Sequence, residues 1–160
     1  MIGMKTILTI IIIAAVIVPS FGQADTSKYA LTIKQSKYEK TGTKTYLVVH
    51  TTLKNNTKDT LRYLSMSCSW REFYHLSNDN LSFEPWVCTK NGPIILILAP
   101  NESVDTELKL VVEKTTDTPI LKFKIGLNLV EVKNNIQEVY NEYRKKNTQN
   151  IIWSNSITLI

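Results

Sequence analysis

The stretch PILKFKIGLNLVE, residues 119–131, decides the fold of this chain. Its large apolar side chains occupy every second position and so share one face of an extended chain: Leu121, Phe123, Ile125, Leu127 and Leu129. The intervening Lys122, Lys124 and Asn128 point to the other face. This period of two predicts a β-strand with one buried side and leaves little room for a helix.

Working outward from this strand, short apolar runs recur between polar turns along most of the chain. The run at 45–53 places Leu47, Val49, Thr51 and Leu53 on one face, and a turn is expected around Gly42. The other runs that we interpret as strands are 29–36, 60–66, 94–99, 106–112 and 151–159. Turn signals every 8–12 residues or so favour an antiparallel two-sheet sandwich of seven to nine strands.

One segment breaks the alternation and predicts a helix over 133–146. Its apolar residues follow the i, i+3, i+4, i+7 spacing of one helix face: Ile136, Val139, Tyr140 and Tyr143. Asn135 can cap the first turn, with Glu138 at the capping-box position three residues on. A single helix before the last strand excludes a parallel α/β sheet. The predicted class is therefore all-β, with one short helix.

The first residues have the order of a secretory signal. Lys5 precedes an apolar run at 7–18, and small residues follow at Gly22 and Ala24. This run is shorter than the roughly 20 residues that a spanning helix needs. We expect a signal peptide at 1–24, with cleavage after Ala24 or, alternatively, after Gly22. The remaining 25–160 would form one β-sandwich domain, secreted or periplasmic, without a membrane span.

The charge of the chain does not indicate a nucleic-acid partner. The formal net charge is +5, and removal of Lys5 with the signal would leave +4. Lysine and glutamate are interspersed along the predicted strands, whereas a nucleic-acid footprint is clustered. We interpret the excess as a contribution to solubility.

The segment SCSWREFYHLSNDNLSFEPWVC, residues 67–88, contains both cysteines of the chain. In an exported protein, two cysteines most simply pair. We predict a disulfide between Cys68 and Cys88 that clips two strands at their base, joined by a turn at 77–80. Trp70, Phe73 and Trp86 would pack near the sulfurs.

Catalytic and metal-binding interpretations of this segment find little support in the spacing. A cysteine nucleophile needs a histidine base, and the chain offers His50 and His75. However, no acyl-transfer motif surrounds either cysteine. Zinc needs three or four closely spaced ligands, a pattern that the cysteines and His75 lack. Glu72 and Glu84 supply a carboxylate pair, yet sequence spacing cannot show that they face each other. The sequence predicts no enzyme, no metal and no cofactor.

Two passages carry a resemblance to a known family: VVHTTLKNNTKDTLRYLSMSC at 48–68 and LAPNESVDTELKL at 98–110. A strand ending in Leu-Lys-Asn before a polar turn, and a Leu-x-Pro-x-x-Ser step before an alternating strand, resemble secreted bacterial immunoglobulin-like sandwich domains. The chain is more faintly similar to bacterial proteinase-inhibitor-like sandwich domains. The resemblance implies a binding function, as an adhesion module, an envelope-assembly subunit or the carrier of a blocking loop.

We therefore predict a non-enzymatic binding or assembly domain whose partner is an unknown protein or cell-envelope component. Aromatic residues and arginine dominate interface energies. The candidate binding surface accordingly comprises Trp70, Tyr74, Trp86, Tyr140 and Tyr143. The alternative is an inhibitor of a secreted protease that acts through the loop at 77–80, and a hydrolase using Glu72, Glu84 or His75 is a third hypothesis.

Overall fold

A computed structural model describes residues 27–41, 44–112, 121–145 and 150–159. The predicted signal peptide, the turn at Gly42 and the first two residues of the 119–131 stretch lie outside the described residues. In chain order the elements are β1 (Tyr29–Thr41), β2 (Lys44–Asn55), β3 (Leu61–Met66), a 3-10 turn (Trp70–Phe73), β4 (Tyr74–Leu76), β5 (Leu81–Phe83), β6 (Pro93–Leu98), β7 (Ser103–Val112), β8 (Leu121–Phe123), β9 (Ile125–Asn128), α1 (Ile136–Lys145), β10 (Ile151–Trp153) and β11 (Ile157–Leu159). The all-β class with one α-helix is confirmed for this part of the chain.

The largest sheet has four antiparallel strands in the order β1-β2-β7-β5. β1 runs to Thr41, five residues beyond the predicted end at 36, because Thr41 still pairs with Lys44 of β2. The strand therefore continues closer to the turn expected around Gly42 than its alternation predicted. Tyr38 and Thr41 in this stretch are residue types that favour strands, and pairing with β2 keeps the intervening charged residues in the ladder.

The remaining strands form three small ladders, β3-β6, β4-β9-β10 and β8-β11. Backbone hydrogen bonds link these ladders, because Leu64 N donates to Val130 O at 2.9 Å and Val132 N donates to Arg62 O at 2.8 Å. The chain segment that follows β9 thus pairs with β3, while β9 itself pairs with β4. In this set of linked ladders, β6 is the strand at one edge and β10 is the strand at the opposite edge.

The alternation that predicted the fold corresponds to the observed core. Leu121, Phe123, Ile125, Leu127 and Leu129 are all buried. The same hydrophobic cluster contains residues of β2 and β7: Leu47, Val49, Leu53, Leu108 and Leu110. Side chains from both groups of strands therefore bury their apolar faces against one another.

Asn128 differs from its predicted exposed position, since it is buried. β10 lies beside this part of β9, and the backbone N–H of Asn150 donates to Asn128 Oδ1 at 3.1 Å. At the neighbouring Gly126, Ile151 and Trp153 pack so closely that they occupy the space of a side chain. The second face of β9 is covered by these neighbours, which alternation within one strand cannot reveal.

Two strands that were predicted as continuous are interrupted, so the described residues contain eleven strand segments instead of seven to nine. The last strand pauses at Ser154, whose hydroxyl accepts the backbone N–H of Ile125 at 3.0 Å. At the same level, Ser77 Oγ accepts the backbone N–H of Lys124 at 2.7 Å. In a regular ladder these backbone N–H groups would donate to carbonyl oxygens, but here they donate to serine hydroxyls. The ladder is therefore interrupted between β8 and β9 and between β10 and β11.

α1 begins at Ile136, three residues later than predicted, and packs against β3 and β6. Asn135 caps it as expected, because its side-chain oxygen accepts the backbone N–H of Gln137 at 2.8 Å. The apolar stripe of the helix is half-buried against the core cluster. Among the described residues, no helix combines the length and the apolar character needed to cross a membrane.

Candidate functional site

The predicted disulfide between Cys68 and Cys88 is present, with Cα atoms 5.9 Å apart. Cys68 follows the end of β3, and Cys88 lies in the segment 84–92 that leads from β5 to β6. The bond therefore holds this crossing segment against the end of β3. Closing a loop of this length contributes about 3 kcal/mol in the chain-entropy model.

The two strands inside this loop do not form the clipped hairpin that we expected. β4 pairs with β9, whereas β5 pairs with β7 in the four-stranded sheet. The turn at 77–80 is instead a corner between two different sheets. Each strand buries more apolar surface in its own sheet than it would in a two-stranded hairpin. Isolated hairpins are only marginally stable in water.

The corner at 77–80 is compact. Asn78 Oδ1 accepts the backbone N–H of Asn80 at 2.9 Å, and Asn78 O accepts the backbone N–H of Leu81 at 3.1 Å. The Asn78 side chain also donates to Lys122 O at 3.0 Å, which ties the corner to β8. The protease-inhibitor alternative assigned to this loop stays a prediction, and titration of a protease panel with the pure protein would test it.

The aromatic residues around the disulfide form a cluster with Arg71 at its centre. The guanidinium carbon of Arg71 lies 5.1 Å from the ring centroid of Trp70 and 5.5 Å from that of Trp86. Trp70 also meets Tyr74 edge to face, with ring centroids 5.8 Å apart. Cation–π contacts of this geometry hold the exposed Trp86 in place over Arg71. Three predicted site residues, Trp70, Tyr74 and Trp86, are thus brought to one region.

Beside this cluster lies an apolar cavity of about 260 Å³, which we call the edge cavity. Its lining residues come from β3, β4, β6, β7 and β9 and from the 3-10 turn: Tyr63, Leu64, Ser65, Met66, Ser67, Trp70, Phe73, Tyr74, Ile94, Leu96, Val104, Thr106 and Leu127. None of these side chains carries a charge at neutral pH. The site is therefore built for apolar groups.

Two tyrosines contribute phenol groups to the edge cavity, beside the hydroxyls of Ser65, Ser67 and Thr106. Tyr74 Oη donates to Thr106 Oγ1 at 3.4 Å, across from β4 to β7. Burial raises the pKa of Tyr63 to about 12 and also raises the pKa of Tyr74 above its ordinary value of 10.0. Both phenols therefore stay neutral and keep their hydrogen-bonding capacity at physiological pH.

The edge cavity opens to solvent between β6 and β7. Ile94 and Leu96 of β6 are 37% and 38% exposed, and Val104 of β7 is 37% exposed. Sequence reasoning missed these three residues. The signal available was the run IILIL at 94–98, which is apolar at every position and so lacks the polar alternate face of a strand with one buried side.

Tyr140 and Tyr143, the other two residues of the candidate binding surface, lie on α1 as the helical pattern predicted, and both are half-buried against the core. The ring of Tyr143 stacks on Phe73, with centroids 5.0 Å apart. Arg144 lies over the ring of Tyr140 at 5.9 Å. Neither tyrosine lines the edge cavity, so the candidate surface divides into two parts, and the helix part has a packing role in this structure.

The polar side chains considered for catalysis are dispersed over different elements. Glu72 is exposed in the 3-10 turn, Glu84 follows β5, and His75 is half-buried in β4. Burial lowers the pKa of His75 below its ordinary value of 6.5, and its Nε2 atom is buried without a hydrogen-bond partner. In the ranges that the structure describes, no group of three or more His, Cys, Asp or Glu side chains could hold a metal ion.

A second cleft of about 550 Å³ is larger but has mixed charge. It is bounded by the basic residues Lys28, Arg62 and Lys133 and by the acidic residues Asp59 and Glu131. Glu131 also contributes to a raised pKa of Tyr29 in this cleft, after burial. Because both signs of charge meet here, the cleft favours no single class of charged ligand, and we regard the edge cavity as the better candidate site.

Comparison with protein-family models finds none that matches this chain. Comparison with curated protein sequences also finds no match.

Proposed function

We propose that this protein is an exported, non-enzymatic binding or assembly domain that holds a partner protein at the edge cavity. The observation that carries the proposal is an uncharged cavity that opens through exposed aliphatic side chains between β6 and β7. Apolar residues that cluster at an opening mark interaction sites more often than scattered ones do. The neighbouring cluster of Trp70, Arg71 and Trp86 supplies the residue types that dominate interface energies.

We further propose that the fold is an immunoglobulin-like sandwich. The order β1-β2-β7-β5 has the same sequence relationships as the A-B-E-D sheet of immunoglobulin domains. β3 with β4, β8 with β9, and β10 with β11 would then correspond to strands C, F and G of the facing sheet. Two features depart from that pattern: β6 comes after β5 in the chain, and the disulfide does not join the two sheets in the usual B–F position.

Export is supported by the disulfide, because such bonds persist mainly in oxidising compartments. It is also supported by the order of residues at 1–24, which is that of a cleavable signal. A secreted or periplasmic domain with an open apolar site would meet its partner outside the cytoplasm.

The test is a crosslinking pull-down from envelope and medium extracts of the source organism, with the oxidised, exported protein as bait. Val104→Asp places a charge in the cavity opening. Ile97→Asp places the same charge on the opposite face of β6, at a side chain that is 68% exposed. We expect a partner that wild type and Ile97→Asp enrich equally and that Val104→Asp loses by at least tenfold.

Melting temperatures of both variants serve as the control for folding. The captured partner is then purified and mixed with each bait to confirm direct binding. If no protein shows the difference between Val104→Asp and Ile97→Asp while both variants remain folded, the edge cavity is not the partner site and the proposal is wrong.

A further inference from the structure

We propose that the partner contributes an extended segment that adds as a β-strand between β6 and β7, with an apolar side chain inserted into the edge cavity. This inference rests on the proposed function and names the chemistry of the partner. It follows from the backbone at the opening, from the size of the cavity and from the charges around it.

The first side of the opening is the outer edge of β6. This strand has six residues and pairs in full register with β3 on one side. On its other side, no strand among the described residues pairs with it. Natural edge strands are protected by charges, proline, bulges or short length. β6 reads PIILIL, and apart from Pro93 at its first position it has no charge, no further proline and no bulge. An uncharged edge of this length is a template for one more strand.

The second side is the facing edge of β7. β2 pairs with β7 from Ser103 to Val111, but β5 reaches only Leu110 to Val112 on the opposite edge. A single further hydrogen bond, from Glu84 N to Lys109 O, extends the β5 side. Within the ranges described, the stretch from Ser103 to Leu108 therefore has a strand on one side only. Its length matches that of β6.

The ends of the opening are closed by two connections. The turn 99–102 joins β6 to β7 at one end, and Glu102 N donates to Ala99 O at 3.2 Å within it. The crossing segment 84–92 closes the other end and is held by the disulfide. The opening is thus an elongated slot about six residues long, or about 20 Å at 3.3 Å per residue. A single extended strand has this shape.

The size of the edge cavity favours a side chain over a whole small molecule. Its volume of about 260 Å³ is below the range of roughly 300–1,000 Å³ that is usual for small-molecule sites. In strand addition, backbone hydrogen bonds provide affinity while alternate side chains enter pockets and provide specificity. Leu96 and Val104 would contact the inserted side chain.

The two edges also indicate which kind of polypeptide segment can occupy the slot. A segment that lies between β6 and β7 needs a backbone with both edges free. The β6 strand of a second copy of this chain has one edge occupied by its own β3, so it could pair with β6 but could not fill the slot. An unpaired, extended segment of another polypeptide meets the requirement.

Charge around the slot adds a further feature of the partner. The β7 side carries the exposed carboxylates Glu102, Asp105 and Glu107. Asp105 pairs with Lys34 at 3.4 Å and Glu107 lies 3.8 Å from His50 Nε2, so the acidic excess is small. Hydrogen bonds from Thr52 and Lys34 keep the pKa of Asp105 below its ordinary value, so this carboxylate is ionised at neutral pH. We therefore expect a segment with alternating apolar residues and with basic residues at its ends.

The experiment uses fluorescein-labelled peptides in which threonine alternates with one apolar residue over seven positions, with a lysine at each end. The apolar residue is valine, isoleucine, leucine or phenylalanine. A matched peptide carries N-methyl groups on alternate backbone amides, which removes hydrogen-bond donors and keeps every side chain. Binding to the exported, oxidised protein is measured by fluorescence anisotropy, and amide hydrogen exchange of β6 is followed with and without peptide.

The expected result is saturable binding of at least one peptide, with slower exchange in β6. N-methylation should weaken this binding at least tenfold. Leu96→Lys and Val104→Lys, which place a charge in the slot, should each do the same. Ile97→Lys, one residue along β6 but on its other face, should stay within twofold of wild type. Melting temperatures of all three variants control for folding.

Equal binding of the N-methylated peptide would overturn strand addition, and so would the absence of binding by every peptide. Sedimentation of the free protein as a dimer that Leu96→Lys dissociates would assign the edge to a second copy and would also overturn it. A partner that the pull-down captures and Val104→Asp loses would meanwhile leave the proposed function intact. The two proposals can therefore fail separately.

Discussion

The side-chain amide of Asn55, at the end of β2, donates a 3.2 Å hydrogen bond to the carbonyl oxygen of Leu98, at the end of β6. This bond connects the four-stranded sheet with the strand that borders the edge cavity. The same amide nitrogen donates to Ala99 O at 3.1 Å and to Asp59 O at 2.8 Å. Asn55 is fully buried, and its side-chain oxygen accepts from the backbone and side chain of Thr57.

Replacement of Asn55 by aspartate should destabilise the protein by roughly 3 kcal/mol, because a buried carboxylate would face carbonyl oxygens that have lost their donor. The measurement is urea unfolding at neutral pH, followed by circular dichroism. Asn56→Asp is the matched control, since Asn56 is exposed and makes one surface hydrogen bond to Ser27 O. A loss at Asn55→Asp no larger than at Asn56→Asp would contradict the buried connection.

Removal of the disulfide should cost about 3 kcal/mol of unfolding free energy, as expected for a bond that spans 20 residues. The Cys68→Ser/Cys88→Ser variant is compared with wild type in urea without reductant. Hydrogen exchange should increase first in the crossing segment 84–92, which the bond holds against β3. Uniform acceleration over all strands, with no excess in this segment, would argue against the local role.

Gly126→Ala should destabilise the fold by about 1–3 kcal/mol, because overpacking a filled site costs about this much. An added Cβ would lie 2.5 Å from Cγ2 of Ile151 and 3.0 Å from the Trp153 ring, so β10 would have to move away from β9. At Gly92 an added Cβ meets no atom within 4 Å, which makes Gly92→Ala the control. Thermal unfolding of both variants checks the difference, and equal melting temperatures would be inconsistent with the packing.

Lowering the pH should reduce the stability of the folded protein because His75 becomes protonated. Burial holds its pKa below 6.5 in the folded state, so the unfolded state binds the proton more readily. The stability contributed by neutral His75 is complete above pH 6.5 and declines as the pH falls through the lowered folded-state value. Melting temperatures between pH 8 and pH 5 should fall more steeply for wild type than for His75→Gln.

The His50→Gln variant controls for removal of a histidine at a different position on the four-stranded sheet. It should retain the acid-dependent loss that His75→Gln reduces. If His75→Gln and wild type respond to acid in parallel, protonation of His75 does not limit stability in this range.

Much of the fold could be predicted because strand faces and helix stripes are local patterns. The five alternating residues from Leu121 to Leu129 are all buried, and the helix cap at Asn135 is present. Strand ends were predicted less well, because Thr41 stays in β1 through pairing with Lys44, a partner that the strand's own residues do not reveal. Of the candidate site, Trp70 and Tyr74 were found, but the cavity residues of β6 and β7 were not.

The sequence by itself determined the β class, the buried faces of the strands at 45–53 and 121–129, the helix that begins at Ile136 and the pairing of two cysteines. Apolar residues that recur with a period of 2 or 3.6, and the number of cysteines, can be recognised without knowing which strands pair. Tertiary structure alone decided that β4 and β5 belong to different sheets and that Asn55 is buried. Within the described part of the chain, it also left one edge of β6 and of part of β7 without a paired strand. These features depend on which distant segments pair, and the apolar pattern of a strand does not specify its neighbour.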